Sequence, residues 1–247
     1  TYFDEDLKKI SEVERISGGG EVSDITVFDY VEYFMNRSEE RDFIFAITME
    51  GHQPYPRRFK EDEFDVRLKC DAMDEQTFEI ARQYTQCAFE ADEAIAHLID
   101  IVDRCDEDTV VVYFGDHAPT LGANFAGYIA SGFAADQKDM LSQEKRLQTY
   151  ATPFFVYANF DLDENNGMLT PGNGNEIASY NLMNAVFRMI GAPVTERMQF
   201  LYDYYQTIPN YNIKLNLPLT DDIEYYKNAH WLLTYDLLCG KRYCLGK

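Results

Sequence analysis

The stretch Thr109-Val110-Val111-Val112-Tyr113-Phe114-Gly115-Asp116-His117-Ala118-Pro119 constrains the fold more than any other. An unbroken run of β-branched and aromatic residues, without polar alternation, reads as a strand buried on both faces of a helix-covered, mostly parallel sheet. The run ends in a glycine, an acid and an imidazole. Consecutive side chains on a strand point to opposite faces, so Asp116 and His117 share a target only if the chain turns where the strand stops. Gly115 is read as permitting that turn. A carboxylate beside an imidazole, at the carboxyl end of a buried strand, stands where open α/β sheets put ligands and suits a divalent metal such as Zn²⁺ or Mn²⁺. The alternative is that Asp116 caps a following turn while His117 sits solvated beside it; spacing alone leaves both open.

With 247 residues and an apolar fraction of 46%, the chain can bury a core of ordinary size. A net charge of −21 argues against a nucleic-acid partner, whose backbone is neutralised by Lys and Arg, and favours cations. The five cysteines, Cys70, Cys87, Cys105, Cys239 and Cys244, form no CxxC pair and leave the redox compartment open. No run reaches the roughly 18 apolar residues of a membrane span, and no signal peptide is visible. Because it opens on Thr1, the chain is expected to be cut from something longer.

Along the chain, Asp24 reads as an N-cap and Val27, Phe28, Val31, Phe34 and Met35 recur at helical spacing. Phe43 to Met49 is a second buried-strand run, followed directly by Gly51-His52-Gln53-Pro54-Tyr55-Pro56. Two prolines exclude helix there, so His52 lies in a rigid loop leaving a strand end, as Asp116 and His117 do. Residues 74 to 103 make the longest helix, with Phe78, Ala81, Thr85, Ala88, Ile95, Ile99 and Val102 on its apolar stripe and Asp92 intruding as a buried acid. His97 falls on the opposite, exposed side. The natural connection from residue 43 to 114 is a right-handed strand-helix-strand crossover. Residues 120 to 150 read as loop with one short helix. Phe154 to Ala158 is a third strand, and Glu176 to Ile190 a helix with Met183, Val186, Phe187 and Ile190 inward. The Tyr-rich residues 196 to 247 form a small C-terminal α+β subdomain packed on a core of residues 1 to 195, their aromatic cluster read as packing rather than a stacking platform.

Taken together and in order, "SDITVFDYVEYF", "FIFAITMEGHQPYP", "DTVVVYFGDHAPTLG", "TPFFVYA", the helix before "GAP" and the closing "WLLTYDLLCGKRY" resemble the lipoteichoic acid synthase branch of the alkaline phosphatase/sulfatase superfamily, the phosphoglycerol transferases. The resemblance implies an α/β fold with a mostly parallel sheet flanked by helices, here incomplete at its N-terminal side. It implies that Asp116 and His117 are two ligands of one catalytic metal, Mn²⁺ or another divalent cation such as Mg²⁺ or Zn²⁺. It further implies that His52 is a catalytic and substrate-binding residue at the phosphoglycerol group. The family's threonine nucleophile, its metal-binding glutamate and its Trp-x-Arg segment have no match in residues 1 to 23 and are expected upstream. The partners implied are a phospholipid head group and a glycerol-phosphate acceptor. The parent is expected to be a bacterial plasma-membrane protein presenting this domain outside the cytoplasm. The isolated chain is expected to bind metal weakly, to turn over nothing and to self-associate. A sulfatase, phosphoethanolamine transferase or phosphodiesterase of the same superfamily, and more distantly a non-catalytic envelope-binding module, are the alternatives.

Overall fold

A computed structural model of the chain describes residues 22–37, 40–55, 58–172, 174–209 and 220–245. The chain divides into two compact units, Thr1–Asn159 and Phe160–Lys247. Helix α6 (Ser179–Met189), assigned to the core by sequence, lies in the second unit.

The first unit is built on two helices and a strand pair. Helix α1 (Asp24–Met35) is capped by the Ser23 side chain, which accepts from the Thr26 backbone N–H, one residue before the expected cap. Helix α2 (Glu75–Asp103) starts at Asp74, whose carboxylate accepts from the Thr77 N–H at 2.8 Å. Phe28 of α1 and Ala94, Leu98, Ile101 and Val102 of α2 form the buried cluster, with Val111, Tyr113 and Tyr157 packed against it. Strand β1 (Val110–Phe114) is followed by the short helices α3 (Ala126–Ala130), α4 (Gln137–Met140) and α5 (Gln143–Tyr150) and then by strand β2 (Phe154–Ala158).

Three expectations are corrected here. First, β1 pairs with β2 antiparallel, in the register Val110↔Ala158 to Phe114↔Phe154, and the parallel neighbours expected of it are not found among the described residues. Tyr113 stacks on its cross-strand partner Phe155 at 5.2 Å, a contact that fixes the register. Second, Phe43 to Met49 joins no ladder; Phe43, Phe45 and Ile47 are 84%, 66% and 68% exposed. An apolar run becomes a buried strand only where another strand meets its N–H and C=O groups, and among the described residues no strand pairs with this one. The crossover from residue 43 to 114 is therefore not formed as expected. Third, the buried face of α2 is turned from the apolar stripe: Ala88 and Asp92 are exposed, while Gln83, Gln86 and Cys87 are buried. Purely apolar periodicity misses this face because two glutamines occupy it. Gln83 Oε1 accepts from the backbone N–H groups of Arg58 and Phe59, at 3.0 and 3.1 Å, and Gln86 Oε1 accepts from those of Asp65 and Val66. They satisfy a segment that has no strand or helix of its own. His97, on the outer side, bonds Asp29 Oδ1 at 2.8 Å.

In the second unit α6 is followed by α7 (Glu196–Thr207) and α8 (Asp221–Leu238). Asn184 Nδ2 donates to the Met198 carbonyl, joining α6 to α7. Tyr204 is wholly buried and stacks on Tyr180 and on Tyr226, so this part of the aromatic cluster is packing, as read from the sequence. Among the described residues the C-terminal segment holds helices and no strand; the rest of the segment expected to be α+β, residues 210–219 and 246–247, lies outside the described residues. On α6, Leu182, Ala185 and Val186 face inward, while Met183 and Phe187 are each 39% exposed.

Candidate active site

The site is assembled where β1 ends. Beyond the last ladder pair, the Gly115 N–H donates to the Pro153 carbonyl at 3.0 Å and the Thr152 hydroxyl donates to the Gly115 carbonyl at 2.7 Å. A side chain at Gly115 would bring its Cβ to 3.2 Å from Thr152 Cβ, so the glycine serves close approach of two chains rather than a left-handed turn. The chain then bends at Asp116 and His117, and both side chains are presented on one side. Asp116 Oδ1 accepts the His117 N–H at 2.8 Å, and Asp116 Oδ2 stands 3.5 Å from His117 Nε2. The carboxylate closes a local turn with one oxygen and faces the imidazole with the other.

The His52 loop comes to the same place. The His52 and His117 rings lie edge to face with centroids 6.0 Å apart. The Thr120 N–H donates to Gln53 Oε1 at 2.8 Å, tying the two loops together directly. Tyr128 holds the far side by donating its hydroxyl to the Pro119 carbonyl at 2.7 Å. All three residues singled out in the sequence therefore converge.

His117 Nδ1 lies 3.1 Å from the Ala118 carbonyl, and a proton on that nitrogen leaves Nε2 as the free ligand atom. For tetrahedral Zn²⁺, two ligands at about 2.1 Å stand about 3.4 Å apart; Asp116 Oδ2 and His117 Nε2 are separated by 3.5 Å. Among the described residues no group of three or more His, Cys, Asp or Glu side chains can hold a metal.

Behind the His52 loop lies a buried polar network with no signal in apolar periodicity. Glu50 is 3% exposed and accepts the Asp24 N–H at 2.8 Å, while the Asp24 carboxylate bonds the Glu50 backbone and Thr48 in return. Burial raises the pKa of Asp24 and of Glu50. Glu90 of α2 shares a hydrogen bond with Glu50, and burial pushes its carboxyl up to about 7. Arg58, 4% exposed, donates from Nη1 to the Glu50 carbonyl and from Nη2 to the His52 carbonyl, the latter at 2.9 Å. The one hint in the sequence is the pair Gln83 and Gln86 on an otherwise apolar helix face.

The Sulfatase family matches residues 2–191. A putative cyclic beta-1,2-glucan modification protein of Rhizobium meliloti (strain 1021) is 28% identical over 219 residues, covering 83% of this chain and 32% of that protein. The Streptococcus pyogenes phosphoglycerol transferase GacH, solved in complex with sn-glycerol-1-phosphate, superposes with a TM-score of 0.67 at 18% identity, over 96% of this chain and 53% of that one. The chain thus spans about a third of the curated relative and about half of GacH. Its α/β fold is the one GacH has, and the match over most of its length establishes that the chain belongs to the sulfatase family of the alkaline phosphatase superfamily.

Proposed function

We propose that the chain is the carboxyl-terminal part of the catalytic domain of a metal-dependent phosphoglycerol transferase acting on a phosphatidylglycerol-type head group. In this reading the threonine nucleophile belongs to the parent protein outside these residues. The observation that carries it is the convergence of Asp116, His117 and His52 at the end of β1 in a sulfatase-family chain. The likeness to GacH supports the phosphoglycerol branch over a sulfatase.

Asp116 and His117 would hold Mn²⁺, or Mg²⁺ or Zn²⁺, with ligands from outside this chain. Such an ion, when bound, lowers the pKa of an attacking hydroxyl and balances charge on phosphoryl oxygens. Asp116 keeps one carboxylate oxygen on the His117 amide and turns the other outward, which orients it. His117 is held in one tautomer by the Ala118 carbonyl. His52 would hydrogen-bond a phosphoglycerol oxygen and pass a proton to the leaving oxygen of diacylglycerol as the parent's threonine oxygen bonds to phosphorus and the P–O bond to diacylglycerol breaks, leaving the phosphoglycerol group on that threonine. A hydroxyl then accepts the phosphoglycerol group. That acceptor is a glycerol-phosphate chain end; a β-glucan hydroxyl is the second candidate, supported by the name of the R. meliloti relative.

No helix among the described residues is long and apolar enough to cross a membrane. The parent is proposed to be anchored through other residues in a bacterial plasma membrane, with this domain outside the cytoplasm.

The test uses the full-length parent, head-group-labelled phosphatidylglycerol in vesicles, and either glycerol phosphate or a cyclic β-glucan as acceptor. The reading requires divalent-dependent release of diacylglycerol and label on an acceptor, both reduced about 10²–10⁴-fold in His52→Ala. Hydrolysis of an aryl sulfate with no release of diacylglycerol would overturn it. The isolated chain is expected to be inactive in the same assay.

A further inference from the structure

His52 stands in a loop with little to hold it: residues 41 to 49 join no ladder, Gly51 and His52 are exposed, and the two prolines provide no donors. A side chain that must meet a reacting group within a fraction of an ångström needs a fixed backbone behind it. The described bonds that fix it are few. Gln53 is bonded by the Thr120 N–H, and Tyr55 donates its hydroxyl to the Gly51 carbonyl at 3.1 Å. The His52 N–H donates to the Met49 carbonyl at 3.1 Å, and Arg58 adds a guanidinium that spans the carbonyls of Glu50 and of His52 itself.

Arg58 is in turn anchored to the core. Its backbone N–H donates to Gln83 of α2 at 3.0 Å, its Nη1 lies 4.0 Å from Cys87 Sγ on the same helix, and Glu50 beneath it is bonded to the start of α1. Burying a guanidinium is costly unless its donors are used, and two of its donors are spent on loop carbonyls two residues apart. A planar fork can hold both at once; the point charge of lysine cannot.

We propose that Arg58 is the positioning residue for His52: its buried guanidinium grips the carbonyls of Glu50 and His52 and thereby sets where the His52 ring stands against His117. Arg58 touches no reacting atom. The catalytic consequence rests on the phosphoglycerol-transferase reading; the structural consequence does not.

The experiment therefore has two readouts. The 247-residue chain is labelled with ¹³C-histidine, which gives ring signals from His52, His97, His117 and His230, assigned by single His→Gln substitutions. In Arg58→Lys the His52 signal should shift or broaden and its cross-relaxation to the His117 ring should fall, with His97 and His230 unmoved and the melting temperature lowered by only a few degrees. Arg58→Met should show the same change, enlarged. If Arg58→Met fails to fold, Arg58→Lys decides. An unchanged His52 signal and unchanged His52–His117 contact in Arg58→Lys would overturn the proposal, as would equal disturbance of all four rings. In the full-length parent, Arg58→Lys should lower kcat about tenfold or more with little change in KM, and should add nothing on a His52→Ala background. If the parent transfers no phosphoglycerol, the functional reading fails while the ring signals still judge Arg58.

Discussion

Replacing Glu90 by glutamine should stabilise the protein in alkaline solution and leave it unchanged in acid. Glu90 shares a hydrogen bond with Glu50 and accepts from Gln86 Nε2 at 3.2 Å, beside a second buried acid, Asp24. Burial, with the Glu50 carboxyl next to it, raises its pKa from the ordinary 4.5 to about 7. Folding thus adds proton affinity, so this carboxyl's contribution is fully present below about 4.5 and is lost as pH rises through about 7. Each tenfold change in proton affinity is worth about 1.4 kcal/mol, which sets a ceiling of roughly 3.4 kcal/mol. Glu90 is partly exposed, and solvent screening brings the expected effect to on the order of 1–2 kcal/mol. A glutamine at 90 can still accept from Gln86 and can donate to the Glu50 carboxylate without any proton to lose. Urea unfolding followed by far-ultraviolet circular dichroism, at pH 5 and pH 8.5, reads this directly. Equal midpoints at pH 5 and a higher midpoint for Glu90→Gln at pH 8.5 are expected. The same difference at both pH values, or a variant less stable at pH 8.5, would refute the buried-pair argument.

Gln83→Leu is nearly isosteric but removes the acceptor for the Arg58 and Phe59 N–H groups, and should cost about 2–4 kcal/mol in urea unfolding. A loss below about 1 kcal/mol would mean that water takes over both donors. Cys87 is buried with its thiol pushed up to about 11, whereas Cys239 is exposed, so a disulfide reagent at pH 8 should label Cys239 promptly and Cys87 only on unfolding. Prompt labelling of Cys87 would show that α2 opens readily. The exposed Phe43, Phe45, Ile47 and Phe114 should make the isolated chain self-associate, with its light-scattering mass rising with concentration and falling in Phe43→Ser/Phe45→Ser. A constant monomer mass would dispose of that expectation.

Chemistry at the strand end was more legible in the sequence than the sheet around it. The apolar run from Val110 to Phe114 and the loop residues after it identify an end of a strand, because strand length, glycine and polar residues are all local signals. The pairing of β1 with β2 is not local: the same run serves a parallel or an antiparallel neighbour, and register depends on contacts such as Tyr113 on Phe155. Helix α2 has almost the limits its sequence predicts but a different buried face, since apolar periodicity ignores a buried amide that is fully used. Asp92, expected to intrude on the apolar stripe, is exposed; Asp24 and Glu50 are buried and Glu90 half-buried, and the segments that bring these three together are far apart in the chain. Arg58 carries no signal for the same reason: its partners are backbone carbonyls, which every sequence has.

The claim on which the account rests is that Asp116 and His117 grip one ion that faces His52. Adding Mn²⁺ stepwise to the ¹³C-histidine chain tests it, because a paramagnetic ion broadens nearby nuclei even when it binds weakly. The His117 ring should broaden first and His52 next, at concentrations that leave His97 and His230 sharp, and Asp116→Asn should abolish the selectivity. Broadening that begins at His97 or His230, or that reaches all four rings together, would contradict the claim.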